Sequence, residues 1–137
     1  MISRLEALAD AIGHLQDFDN PKSRAYRLRN MGLLRNYSLT NPKPTDSEGY
    51  RQFESMIGGY RALLFDLTEK ISGNSRAGIQ KDGKFVKLQP ESELRDLLRT
   101  FGVKIDGPIR KLCNFLNEAF SRDDILPTTP LKFFTEN

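Results

Sequence analysis

The chain has few of the residues that build metal sites and nucleophilic active sites. Its 137 residues include one cysteine, Cys113, one histidine, His14, and no tryptophan. A metal site needs several deprotonated ligands that converge, so we expect no metal here. A single cysteine cannot form an internal disulfide, which is typical of proteins from a reducing compartment.

Long apolar segments are also missing. No run approaches the roughly 20 residues that a membrane-spanning helix needs. The N-terminal segment carries Arg4, Glu6 and Asp10, where a signal peptide would have an unbroken apolar core. These absences predict a soluble, cytoplasmic protein with no membrane partner.

Motifs for nucleotide binding and catalysis are absent too. The segment GNSRAG, residues 73–78, has two glycines but lacks the Lys-Ser/Thr ending and the preceding strand of a phosphate-binding loop. Acid pairs at residues 17 and 19 and at residues 123 and 124 lie at predicted helix boundaries, where acids favour the positive helix end. We therefore predict no cofactor and no catalytic residues. The least favoured hypothesis is an enzyme of unfamiliar type, with a pocket that gathers His14, Arg76 or buried carboxylates.

Helix start and stop signals, by contrast, are abundant. Ser3 and Glu6 form an S-x-x-E capping box before an apolar stripe, which predicts a helix over residues 3–16. Asn20-Pro21 predicts a second helix, which should stop near Gly32. Further helix starts are predicted near Pro90, Asp106 and Thr129.

The longest apolar pattern covers residues 47–72 and predicts one long central helix. Its apolar residues recur in alternating steps of three and four, at Tyr50, Phe53, Ile57, Tyr60, Leu64, Leu67 and Ile71. Gly58 and Gly59 in mid-helix cost about 1 kcal/mol each against alanine. We therefore expect a neighbouring segment to pack closely on their backbone; the alternative is a ligand that lies against it.

A short β-hairpin is predicted near residues 79–87, because Asp82-Gly83 is a typical two-residue hairpin turn. The chain has no internal repeat and no low-complexity linker. We therefore predict an all-α, single-domain helical bundle over residues 1–137, with five or six helices around one long central helix and this one hairpin.

Positive charge is concentrated in two regions. Residues 21–45 contain six Lys or Arg and no acid, and residues 70–88 contain five bases and one acid. Arginine matches phosphate geometry, and tyrosine rings can stack on unpaired bases. The candidate polyanion-binding residues are Lys22, Arg24, Arg27, Arg29, Arg35, Lys81, Lys84 and Lys87, with Tyr26 and Tyr37 as candidate stacking residues.

Three hypotheses for function follow. The favoured one is a non-enzymatic binding module that contacts nucleic acid or an acidic protein through the second helix and its loop. A plain solvated or self-paired surface explains the same charges, because the bases of the predicted helix straddle its buried stripe. The second hypothesis is a self-assembling structural or adaptor protein with exposed aromatics such as Phe133 and Phe134. The enzyme is the third.

Overall fold

The computed structural model describes residues 3–35 and 44–136 of the chain. Within these ranges it contains five α-helices, one 3-10 helix and a two-stranded antiparallel sheet. In chain order the elements are α1 (Arg4–Leu15), α2 (Arg24–Arg27), α3 (Met56–Ser72), β1 (Gly78–Lys81), β2 (Lys84–Lys87), α4 (Leu94–Arg99), α5 (Pro108–Phe120) and the 3-10 helix (Leu131–Phe134).

The predicted all-α bundle around a long central helix is wrong, because the fold is small and mixed and its longest helix, α3, spans only 17 residues. α3 begins at Met56, where the Ser55 hydroxyl accepts a hydrogen bond from the Gly58 N–H at 3.0 Å. Before it, the Asp46 carboxylate accepts hydrogen bonds from the backbone N–H groups of Glu48 and Tyr50. These bonds offer the backbone an alternative to helix, so residues 47–55 form turns and isolated bridges.

The predicted second helix is also wrong at both ends: Ser23, and not Asn20, is the N-cap, and α2 covers only the four residues Arg24–Arg27. Arg29 adopts a left-handed backbone with φ of 52°, which ends any helix there. The side chain of Asn30, 0% exposed, then holds the chain in a new direction. It donates to the carbonyls of Leu34 and Arg51, both at 2.9 Å, and accepts from the Leu34 N–H at 2.8 Å.

Elements whose signals are local follow the sequence more closely. The capping box of Ser3 and Glu6 is present at the start of α1. The hairpin is confirmed: Asp82 and Gly83 both have positive φ, as a tight hairpin turn requires, and Ile79 pairs with Val86.

One hydrophobic core draws on α1, α3, α4, α5 and the 3-10 helix. Its fully buried side chains include Leu8, Ile12, Leu63, Leu67, Leu97, Leu112, Leu116 and Phe134. Because Phe134 is buried and Phe133 packs on it, this pair does not form the exposed aromatic contact that the sequence suggested. Within residues 3–35 and 44–136, no helix combines the length and the apolar composition needed to cross a bilayer.

Gly59 is the point at which the segment after α2 crosses α3. A β-carbon at Gly59 would lie 3.0 Å from the carbonyl carbon of Arg29 and closer still to its oxygen. At Gly58 the nearest group would be the Ser55 hydroxyl, 3.1 Å away and within the same helix turn. The crossing at Gly59 therefore fixes the position of residues 29–35 against α3.

Candidate functional site

An open groove of about 1140 Å³ lies beside that crossing. Its walls are α3, the hairpin with the residues before it, the end of α4, and the bridged residues Arg35 and Tyr50. The volume exceeds the roughly 300–1,000 Å³ of sites that enclose a small molecule. Its size suits part of an extended ligand.

The groove is basic. Six bases against two acids in its lining give it a formal charge of +4, whereas the whole chain carries +3. The bases are Arg35, Arg51, Arg61, Lys70, Arg76 and Arg99, and the acids are Asp66 and Glu69. The positive excess of the chain is therefore gathered in this groove, and the remainder of the molecule carries a slight negative charge.

Two of the arginines are held by neighbouring aromatic rings. The Arg35 guanidinium lies 4.2 Å from the ring centre of Tyr50, and its Nη1 donates to the Glu48 carbonyl at 2.6 Å. The Arg51 guanidinium lies 4.3 Å from the ring of Phe53. These stacked side chains form a fixed end of the groove.

Three other arginines are exposed to solvent. Arg61 on α3, Arg76 before β1 and Arg99 at the end of α4 reach the groove from three different elements. None of the three forms an ion pair with any residue in the described part of the chain. Their guanidinium groups can therefore bind an anionic ligand.

Lys70 lies at the floor of the groove, where its side chain is almost fully buried. Its Nζ is 2.8 Å from a carboxylate oxygen of Asp66 and 3.8 Å from the ring centre of Phe101. Burial lowers the pKa of Lys70, and the attraction of Asp66 opposes this shift. Because Lys70 and Asp66 largely neutralise each other, the ligand-facing charge comes from the arginines.

Two exposed phenylalanines face the groove from different elements. Phe65 on α3 is 68% exposed and Phe85 on β2 is 58% exposed. A β-carbon at Gly78 would lie 2.8 Å from Cζ of Phe85, so the absence of a side chain at Gly78 lets the ring lie across β1. The groove thus combines aromatic rings with unpaired arginines.

No protein-family model, curated protein or solved structure matches this chain. Any functional inference therefore rests on the charge, shape and aromatic content of the groove.

Of the eight basic residues predicted from the sequence, only Arg35 lines the groove. Arg24 is engaged elsewhere: it donates to both carboxylate oxygens of Glu48, at 2.7 and 2.9 Å, and its Nε lies 3.6 Å from Asp46. This is the self-paired surface that the sequence offered as an alternative. Lys81 pairs with the buried carboxylate of Asp96 at 3.0 Å.

The remaining candidates are spread over the surface. Lys22, Arg27 and Arg29 are exposed around α2, and Lys84 and Lys87 are exposed on β2. Tyr26 is partly exposed, with its ring centre 6.3 Å from that of Phe18. Tyr37 lies outside the described residues. The two basic regions meet in the groove: residues 21–45 reach it through Arg35, and residues 70–88 reach it through Lys70 and Arg76.

Sequence reasoning missed the strongest features of the groove. Arg61, Phe65 and Arg99 lie in segments without a local excess of bases, and only the tertiary fold brings them together. One signal was present in the sequence: Phe65 falls off the main apolar stripe of α3, four residues after Arg61. That position indicates a solvent-facing aromatic beside a base.

The residues considered for catalysis do not form a site. His14 is exposed and stacks on Phe115, with ring centres 5.2 Å apart, and it does not line the groove. Cys113 is buried, which raises the pKa of its thiol and disfavours the reactive thiolate. In the part of the chain that the structure describes, no three His, Cys, Asp or Glu side chains are grouped as metal ligands.

Proposed function

We propose that this protein is a cytoplasmic, single-domain, non-enzymatic binding module whose groove binds the phosphate backbone of a nucleic acid. The observation that carries the proposal is the formal charge of +4 in an open groove with three exposed arginines that form no ion pair within residues 3–35 and 44–136. Arginine guanidinium groups bind phosphate oxygens through paired hydrogen bonds. We place the contact surface in the groove rather than around α2. Around α2, Glu48 and Asp46 engage Arg24, and the exposed bases Lys22, Arg27 and Arg29 do not line the groove, whereas Arg61, Arg76 and Arg99 share it with two exposed aromatic rings.

Salt dependence provides the test. Fluorescence anisotropy with a labelled oligonucleotide, at about 50 and 200 mM salt, measures the counterions released on binding. In the groove variant, Arg61, Arg76 and Arg99 are all changed to Ala. Each arginine that no longer binds a phosphate should reduce the slope of log K against log salt by about 1, so the slope should fall by roughly 2 to 3.

A matched control variant removes the same charge from another surface. Lys104, Arg110 and Lys111 are exposed bases that do not line the groove. With all three changed to Ala, the protein should keep most of its affinity and its salt slope. Equal losses of affinity in both variants would point to diffuse attraction, and an absence of binding at the lower salt would exclude the proposal. Binding to polyglutamate but not to the oligonucleotide would indicate an acidic protein partner.

Self-association is a second candidate function, because four large apolar side chains are exposed on α3 and the hairpin. These are Ile57, Phe65, Phe85 and Val86. Exposed apolar groups can serve as contacts between copies of a chain. A molar mass that rises with concentration in light scattering, and that falls to the monomer value in a Phe65→Ser/Phe85→Ser variant, would support this function. A constant monomer mass would exclude it.

A further inference from the structure

We infer that the groove takes its nucleic acid as a single strand, with Phe65 and Phe85 each stacking on an unpaired base. This inference rests on the proposed function and adds the form of the ligand. Single exposed apolar residues are common on protein surfaces and need no explanation. Here, however, two exposed phenyl rings line one groove among arginines that have no ion-pair partner in the described part of the chain.

The groove alternates the two kinds of contact that a single strand needs. Arg61 and Phe65 are four residues apart on α3, so they are neighbours on one helix face. Arg76 precedes β1 and Phe85 lies across β1 on the facing strand, which gives the hairpin wall the same combination. Guanidinium groups can follow the phosphates while the rings accept bases, the arrangement used by proteins that bind single strands.

The ring of Phe85 lies across β1. Phe85 is paired with Gln80, and its ring extends diagonally over Gly78. The tight turn at Asp82 and Gly83 fixes the register of the two strands, and therefore the backbone position from which the ring projects. Because the ring is 58% exposed, a base can stack on it.

A duplex would leave these rings without partners. Its bases are stacked on each other, and a side chain reaches their faces only by unstacking them. Within the described residues, the arginine-rich helix α2 has only four residues and offers no extended face for the major groove. Single-stranded segments, in contrast, expose base faces to aromatic side chains.

The test compares three probes: a labelled single strand of about 12 nucleotides, the same sequence as a duplex, and polyphosphate, which has charge but no bases. Phe65→Ala and Phe85→Ala should each weaken binding of the single strand by roughly 5- to 150-fold, the range expected when one base is no longer stacked. Affinity for polyphosphate should not change. Ile57→Ala and Leu126→Ala are matched controls, since these apolar side chains are 64% and 53% exposed and do not line the groove.

Further variants separate stacking from simple apolar contact. Phe85→Tyr keeps an aromatic face and should bind the single strand like the wild type, whereas Phe85→Leu should lose affinity as Phe85→Ala does. Full affinity in Phe85→Leu, or equal losses of affinity in the Ile57 and Leu126 controls, would overturn the inference.

Failure of the inference can be told apart from failure of the proposed function. If the phenylalanine variants bind the single strand like the wild type while the arginine variant does not, the stacking inference is refuted and the proposed binding of the phosphate backbone is supported. Tighter binding of the duplex than of the single strand would likewise refute stacking and support backbone binding. If the wild-type protein binds none of the three probes, both the inference and the proposed function are refuted.

Discussion

Alanine substitutions at the adjacent glycines Gly58 and Gly59 should have opposite effects on stability. Both lie in the first turns of α3, so both gain up to about 1 kcal/mol of helix propensity when they are changed to Ala. They differ in what the new methyl group meets. At Gly58 it meets the Ser55 hydroxyl, which belongs to a small side chain. At Gly59 it meets the backbone of Arg29.

The magnitude follows from this difference. Backbone cannot rotate away as a side chain can, and forcing a methyl group into a packed site costs about 1–3 kcal/mol, occasionally more. A clash at about 3 kcal/mol, reduced by a helix gain of about 1 kcal/mol, leaves Gly59→Ala destabilised by about 2 kcal/mol. Gly58→Ala should be neutral or more stable by up to about 1 kcal/mol.

Urea unfolding followed by circular dichroism measures both variants. With a slope of roughly 1–3 kcal/mol per molar urea, the midpoint of Gly59→Ala should fall by about 1 M, and that of Gly58→Ala should stay or rise. Equal midpoints for the two variants would refute the packing of Arg29 on Gly59. The position of residues 29–35 beside the groove would then be wrong as well.

Three further predictions concern buried polar groups and the basic surface. Asn30→Ala should destabilise the protein by about 2–4 kcal/mol in urea unfolding, because it leaves the Leu34 N–H and the Arg51 carbonyl unpaired, and a destabilisation below about 1 kcal/mol would contradict this role. Burial lowers the pKa of Lys70. At pH values between this lowered pKa and the ordinary value of 10.5, the folded protein therefore binds fewer protons than the unfolded chain. The stability of wild type relative to Lys70→Met should therefore rise as the pH increases toward 10.5; a fall over that range in urea unfolding would refute the shift. Arg24→Ala should leave affinity for the oligonucleotide unchanged, whereas Arg61→Ala should weaken it. If anisotropy titrations instead show that Arg24→Ala weakens binding and Arg61→Ala does not, the nucleic-acid contact lies at α2.

The parts of the fold that the sequence predicted are those with local causes. The start of α1 depends on Ser3 and Glu6, three residues apart, and the hairpin depends on Asp82 and Gly83. The end of α3 at Gly73 is equally local, since this glycine adopts the left-handed conformation of a helix C-cap.

The errors arose where side chains bind backbone groups, one of them far along the chain and the others nearby. Asn30 donates to the carbonyl of Arg51, 21 residues away, and this bond accompanies the end of α2. No local pattern reveals such a partner. The apolar spacing at Tyr50 and Phe53 fits a helix, yet the same side chains pack from a bridged loop in which Asp46 binds the backbone. Periodicity alone therefore extended the predicted helix too far.

The candidate site was harder to predict for a related reason. The local excess of bases predicted a binding surface around α2, but Asp46 and Glu48 pair with Arg24 there. Arg61, Arg76 and Arg99 are separated by 15 and 23 residues and form one surface only after folding.

A nuclear magnetic resonance titration tests the binding of a single strand in the groove most directly. A ¹⁵N-labelled sample is titrated with the single-stranded oligonucleotide, and the backbone amide shifts are mapped on the chain. We predict that the largest shifts occur in residues 61–70, 75–78, 84–86 and 99–102, and that residues 22–29 and 108–111 are unaffected. Shifts concentrated in residues 22–29, or no shifts at saturating oligonucleotide, would contradict binding in the groove.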